Sequence, residues 1–192
     1  IAHNTIVIDE ISHFNGNTQK GEESTSVAYF NSLDDPRFLI TSAKDLNAYE
    51  NTELHRTLCL INDQSLYPNP IMLDIFKVNG SGEHQYDMPF HFKNHFMRSS
   101  FDFDTNLTSL KPLGDDFGYQ HVWHEATASL SIGQYDFSWL TDDKFYTLHA
   151  LSSDNDQMIF GRIGANDPNF NLRHDAFLVQ RRKNATSPIF IS

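Results

Sequence analysis

The sequence predicts an all-β fold, a large antiparallel β-sandwich, and three observations carry that prediction. Apolar and aromatic residues recur with a period near two over most of the chain, turn residues interrupt them at roughly regular intervals, and no long amphipathic helical repeat is present. Composition agrees: 13% of the 192 residues are aromatic and Phe alone occurs 16 times, which suits pleated surfaces better than helices.

In chain order, strands are expected at 5–8, 25–30, 38–42, 55–61, 71–78, 85–92, 119–126, 127–132, 145–151, 157–163, 176–182 and 189–191. Turn clusters separate them: Asn15-Gly16-Asn17, Asp34-Asp35-Pro36, Tyr67-Pro68-Asn69-Pro70, Asn79-Gly80-Ser81-Gly82, Gly114-Asp115-Asp116 and Asn166-Asp167-Pro168-Asn169. The prolines of these clusters sit between strands, where a missing N–H costs no ladder bond. Ile71-Met72-Leu73-Asp74-Ile75-Phe76 is apolar on both faces, as a central strand of stacked sheets would be. About a dozen short strands without a linker or repeat suggest one domain over residues 1–192.

Both ends read as interrupted structure. Residues Ile1-Ala2-His3-Asn4-Thr5-Ile6 run straight into the first strand, and Ser187-Pro188-Ile189-Phe190-Ile191-Ser192 reads as a strand stopped partway. The expectation is a sandwich truncated at both ends, part of a larger protein.

Charge narrows the partners. With 25 acidic and 14 basic residues the formal net charge is −11, so nonspecific binding to nucleic acid or to an anionic membrane is disfavoured. No apolar run is long enough to span a bilayer as a helix. The single Cys59 rules out an internal disulfide and reads as a buried small hydrophobe.

Two clusters could carry chemistry. In His84-Gln85-Tyr86-Asp87-Met88-Pro89-Phe90-His91-Phe92, alternation puts His84 with Tyr86 and Asp87 with His91. This is either an acid–base or metal set, or a strand with one aromatic and one polar face. In Tyr119-Gln120-His121-Val122-Trp123-His124-Glu125, one face would gather Tyr119, His121, Trp123 and Glu125. Such a face is either a sugar-binding platform of rings and polar groups or a half-buried strand filling the core. The chain contains no Gly-x-Ser-x-Gly elbow, P-loop, dinucleotide fingerprint or Cys-based metal pattern. Asp115-Asp116 and Asp142-Asp143 read as solvated turns, Arg181-Arg182-Lys183 as an exposed strand tip, and His55-Arg56 as a salt-bridged structural pair as readily as a functional one.

Four blocks carry a resemblance. They are Ala2-His3-Asn4-Thr5-Ile6-Val7-Ile8-Asp9-Glu10, His84-Gln85-Tyr86-Asp87-Met88-Pro89-Phe90-His91, Gly118-Tyr119-Gln120-His121-Val122-Trp123, and Gly164-Ala165-Asn166-Asp167-Pro168-Asn169-Phe170-Asn171-Leu172-Arg173. Together they resemble the alginate lyases of polysaccharide lyase family 17, within the heparinase II/III-like group. The resemblance implies an N-terminal α/α toroid followed by a C-terminal antiparallel β domain, with the active site between them. It implies that this chain is most of that β domain, acting on alginate or another uronate oligosaccharide by β-elimination. A periplasmic or secreted bacterial location follows from the same resemblance.

The Asn, His and Tyr that the family uses for catalysis lie upstream of the His-Asn-Thr block, so no catalytic residue is assigned in this chain. His3 matches a family zinc ligand whose partners also lie upstream; the ion would be structural. Without the resemblance, a lone His at a strand start reads as a cap or core residue. Tyr119, His121 and Trp123 are the candidate substrate contacts. A −11 chain and a polyanionic substrate repel at long range. Either the cationic contacts lie in the toroid, the reading preferred here, or a local basic pocket supplies them. The chain alone is expected to be catalytically silent. The alternatives are a noncatalytic carbohydrate-binding sandwich, a same-fold lyase acting on a glycosaminoglycan, and a structural domain that forms homo-oligomers.

Overall fold

A computed structural model describes residues 1, 3–154, 156–164 and 175–192. The Gly164 to Arg173 block therefore lies outside the described residues except for Gly164, as does Ala2. The expected all-β antiparallel fold is observed. In chain order the strands are β1 (Val7–Ile8), β2 (Val27–Ser32), β3 (Phe38–Tyr49), β4 (Thr52–Ile61) and β5 (Ile71–Asn79). They continue as β6 (His84–His91), β7 (His95–Ser99), β8 (Asp104–Thr105), β9 (Lys111–Pro112) and β10 (Val122–Ser129). The last are β11 (Gly133–Thr141), β12 (Lys144–Ser152), β13 (Gln157–Ile163), β14 (Asp175–Ala185) and β15 (Ile189–Ile191). One short helix, α1 (Thr18–Glu23), is capped by Asn17, whose side chain accepts from the Lys20 N–H.

The chain divides into two compact units: Ile1–Ser12 with Glu83–Ala185, and His13–Gly82 with Thr186–Ser192. The first is a two-layer sandwich. One layer has strand order β1-β6-β14-β13-β10-β8 with β9 on β10, and the other has order β12-β11-β7. Alternation along β11 aims Tyr135 and Phe137 at Met158 of β13 and Leu178 of β14, in one buried cluster with Ala128, Leu130 and Ala150. Phe137 is fully buried, a contribution of roughly 1.5–3 kcal/mol by transfer alone. The opposite face of the larger sheet is also covered. Phe177 and Val179 of β14 pack there with Ile1, Val7, Tyr119, Val122 and Ile159.

Gly161 explains how β13 approaches β10 so closely. A Cβ there would lie 2.8 Å from the Trp123 carbonyl oxygen, beside the bulge between His124 and Ala126.

The second unit is a five-stranded sheet, β15-β5-β4-β3-β2. β4 pairs along its whole length with β3 and β5. Its apolar residues Leu58, Cys59 and Leu60 are only half-buried, which corrects the expectation of a buried Cys59. β5 is internal to the sheet as expected, yet Ile71 and Met72 are exposed.

Three other differences from the sequence reading matter for the site. Residues 119–121 form a 3-10 turn, and a single strand, β10, replaces the two expected at 119–126 and 127–132. β7 and β11 occupy segments where no strand was expected. Arg181 and Arg182 are buried, and only Lys183 of that basic run is exposed, because β14 continues past the expected end to Ala185.

Candidate functional site

Three polar centres lie in the first unit, and β14 positions two of them. Successive residues of a strand point to opposite faces, so Arg181 and Arg182 emerge on opposite sides of the larger sheet. Arg181 faces Asp87 across the β6 ladder. Its Nε donates to Asp87 Oδ1 at 2.8 Å and its Nη2 to Oδ2 at 2.7 Å, while Nη2 also lies 2.8 Å from Glu10 Oε1. Tyr119 Oη donates to the same Asp87 Oδ2 at 2.6 Å. The fork geometry matches two guanidinium donors to one carboxylate.

On the other side, Arg182 donates to both oxygens of Asp156 at 2.9 and 2.7 Å. Gln180 Nε2 donates to Asp156 Oδ2 at 2.8 Å, and Tyr135 Oη donates to Gln180 Oε1 at 2.8 Å. Asp87 and Asp156 are both fully buried. Each charge is thus matched by a counter-charge and further hydrogen bonds, the condition for tolerating buried ions.

Electrostatics fix what these centres can do. Burial, then the Asp87 charge, push the Tyr119 phenol far above its usual range. Burial, then Asp156, do the same to Tyr135. Both phenols stay protonated and serve as hydrogen-bond donors rather than bases.

The third centre sits near the chain start. The His91 backbone N–H donates to Asn4 Oδ1 at 2.8 Å, and His91 Nε2 lies 3.1 Å from the Ile1 carbonyl oxygen. The His91 ring packs on Phe177 at 4.9 Å. Burial lowers its pKa, and the charges of His3 and Asp175 also act on it. His3 itself is exposed.

Zinc can be tested against these positions. Among the described residues no group of three or more His, Cys, Asp or Glu side chains converges on a common point. The described residues alone do not make up a closed tetrahedral site. Asp87 and His91, a possible ligand pair by alternation, are separately engaged by Arg181 and by Ile1.

The expected sugar-facing row does not form as a strand face. Tyr119 and His121 lie in the turn before β10, and only Trp123 and Glu125 of that row lie on the strand. Tyr119 and Trp123 are buried. His121 is half-buried, its Nδ1 has no hydrogen-bond partner among the described residues, and its carbonyl accepts from Gly164. Glu125 instead accepts from Arg162 Nε at 2.8 Å.

In the second unit Ser42 Oγ lies 2.8 Å from both His55 Nε2 and Thr57 Oγ1. Ser42 is buried in mid-strand, so this contact is a cross-strand ladder rather than an accessible nucleophile. Asp156 and Gln180 escaped the sequence reading altogether. Gln180 was legible in principle, as a polar residue on a strand otherwise buried on both faces.

Fold and site together define an antiparallel β-sandwich with paired internal charges. Its similarities are specific. The chain is 38% identical over 182 residues to a protein of Stenotrophomonas maltophilia (strain K279a) named alginate lyase, a match covering 94% of this chain and 24% of that protein. It is 34% identical over 196 residues to an exo-oligoalginate lyase of Saccharophagus degradans (strain 2-40), covering 100% of this chain and 26% of the relative. The chain thus spans about a quarter of the length of the curated relatives it matches. No family model matches it.

Proposed function

We propose that this chain is the C-terminal β-sheet portion of a longer oligoalginate lyase of family 17, in the heparinase II/III-like group. The observation that carries the reading is the 34–38% identity to alginate lyases along essentially the whole chain. The lyase cleaves uronate linkages by β-elimination. The C5 proton of a uronate is weakly acidic, so neutralising the C6 carboxylate stabilises the enolate-like intermediate. A base removes that proton and an acid protonates the departing 4-oxygen.

The buried Tyr119 and Tyr135, held protonated, do not suit the base role. Zinc ligation by His3 belongs to the same proposal and needs further ligands from beyond these residues. The test is turnover. The longer protein should generate unsaturated-uronate absorbance from alginate oligomers, and the 192-residue chain alone should generate none. Turnover by the chain alone overturns the division of labour. Turnover of a glycosaminoglycan but not of alginate by the longer protein keeps the lyase and replaces the substrate.

A further inference from the structure

The outer face of the three-stranded sheet carries a constellation that none of the buried centres uses. Because Tyr135 and Phe137 of β11 point into the sandwich, Asp136 and Ser138 lie on the other face, where Asp136 is half-buried and Ser138 is buried beneath its neighbours. Across the ladder Ser138 faces Arg98 of β7 on one side and Thr147 of β12 on the other. Ser138 Oγ and Thr147 Oγ1 are 2.9 Å apart. One row further, His149 Nδ1 lies 2.6 Å from Asp136 Oδ1, which also accepts from Gln134 Nε2 at 3.1 Å. On the other side the paired residues are Leu140 and Phe145, and Phe145 is 69% exposed. Met97, Arg98, Ser138, Phe145 and Thr147 line a shallow cavity of about 380 Å3.

The chemistry of this surface is selective. Arg98 is exposed and forms no ion pair among the described residues, in a chain whose net charge is −11. Asp136 is hydrogen-bonded to Gln134 and His149, and the Arg98 charge acts on it only as a lesser influence. A free guanidinium fork is matched in shape and charge by a carboxylate. An open aromatic ring offers a stacking face for the apolar side of a sugar, and the exposed Thr147 hydroxyl can both donate and accept. Three strands at about 4.8 Å spacing make a row roughly 10 Å wide, room for two sugar rings.

We propose that this face binds a uronate oligosaccharide, with a sugar carboxylate on Arg98, a ring face on Phe145 and a sugar hydroxyl on Thr147, which the buried Ser138 holds in place. The choice of alginate as the uronate rests on the lyase reading above; the surface itself does not.

Titration calorimetry of the 192-residue chain with an alginate tetrasaccharide, and with a neutral glucose tetrasaccharide as control, tests this. Binding should favour the acidic sugar. Arg98→Gln should weaken it by at least about tenfold, the loss expected for a charge-assisted hydrogen bond, and Phe145→Ala should weaken it too. Both positions are exposed, so thermal melting of the variants should be unchanged. Equal affinity of wild type and Arg98→Gln, or no preference for the acidic sugar, overturns the proposal. So does a homodimer, seen by sedimentation, that Phe145→Ala dissolves without any sugar binding. Binding of another uronate oligomer but not of alginate keeps the surface and counts against the alginate reading. If the chain shows no melting transition alone, Arg98→Gln in the longer protein should raise KM with kcat unchanged; an unchanged KM overturns the proposal.

Discussion

β14 in the sandwich and β4 in the five-stranded sheet are both internal strands, yet they invert the usual link between hydropathy and burial. β14 carries Gln180-Arg181-Arg182 and is buried on both faces from Phe177 to Arg182. β4 carries Leu58-Cys59-Leu60-Ile61 and is only half-buried there. The difference lies in what covers each strand. One face of β14 meets the second sheet through Leu178, and the other meets Tyr119, Val122 and Val7 through Phe177 and Val179. Among the described residues the unit holding β4 has a single sheet, so Leu58–Ile61 have no second sheet of their own unit to pack on, although Leu54, Phe76 and Val78 elsewhere in it are buried. Layering, and not the side chain's own preference, sets burial. Arginines can lie inside such a layer because Asp87 and Asp156 meet them there.

The largest expected effect breaks that match. Asp156→Ala leaves the Arg182 guanidinium buried without its counter-charge, which should cost about 3–5 kcal/mol. The Arg56–Asp74 pair of the five-stranded sheet has comparable geometry, with Nε to Oδ1 at 2.9 Å, but its arginine side chain is 30% exposed. Asp74→Ala should therefore cost only about 1 kcal/mol, the range of partly solvated pairs. Urea denaturation of the two variants measures both. Equal losses would show that the two strands do not differ in the way their burial indicates.

An effect of similar size draws the same contrast with apolar residues. Phe137→Ala removes a ring that Phe92, Phe96, Trp139 and Phe160 surround and should cost about 3–5 kcal/mol. Leu58→Ala, at a half-buried position, should cost about 1 kcal/mol, because it removes less buried area and leaves an open dent rather than a cavity. A Leu58→Ala loss matching that of Phe137→Ala would mean that a further layer covers the five-stranded sheet in solution.

Local pattern made much of the fold legible, and long-range pairing explains most of what was not. The strands at 157–163 and 189–191 match the observed bounds, since turn residues flank alternating apolar runs there. β11 was equally legible: Tyr135, Phe137 and Trp139 alternate with Asp136 and Ser138, but that run was left unread, and the Arg98–Ser138–Thr147 row was missed with it. Treating 119–126 as a strand placed Tyr119 and His121 on one face with Trp123, whereas Gly118, with φ of 92°, turns the chain into a 3-10 element first. The ion pairs were beyond reach. Asp87 and Arg181 are 94 residues apart, and nothing in an Arg-Arg pair at a strand end announces partners at that distance.

The smallest expected effect compares one histidine from each unit. Burial lowers the pKa of both His91 and His55 below the usual 6.5. For His55 the nearby Lys44 adds to burial, and for His91 the Ile1 carbonyl partly opposes it. With the folded pKa depressed, the unfolded chain binds more protons between that value and 6.5, so stability rises with pH across the window. Acidification from about pH 7 should therefore lower the melting temperature progressively below about pH 6.5. The lowered carboxyl of Asp136 acts only at more acidic pH, as the chain passes below the usual value of 3.8. His91→Gln keeps the backbone bond to Asn4 but removes the titrating ring, so it should flatten the acid slope. His55→Gln should flatten it less, because the His55 ring lies on the more open sheet. A steeper dependence on His55 than on His91 would reverse the order of burial that separates the two units.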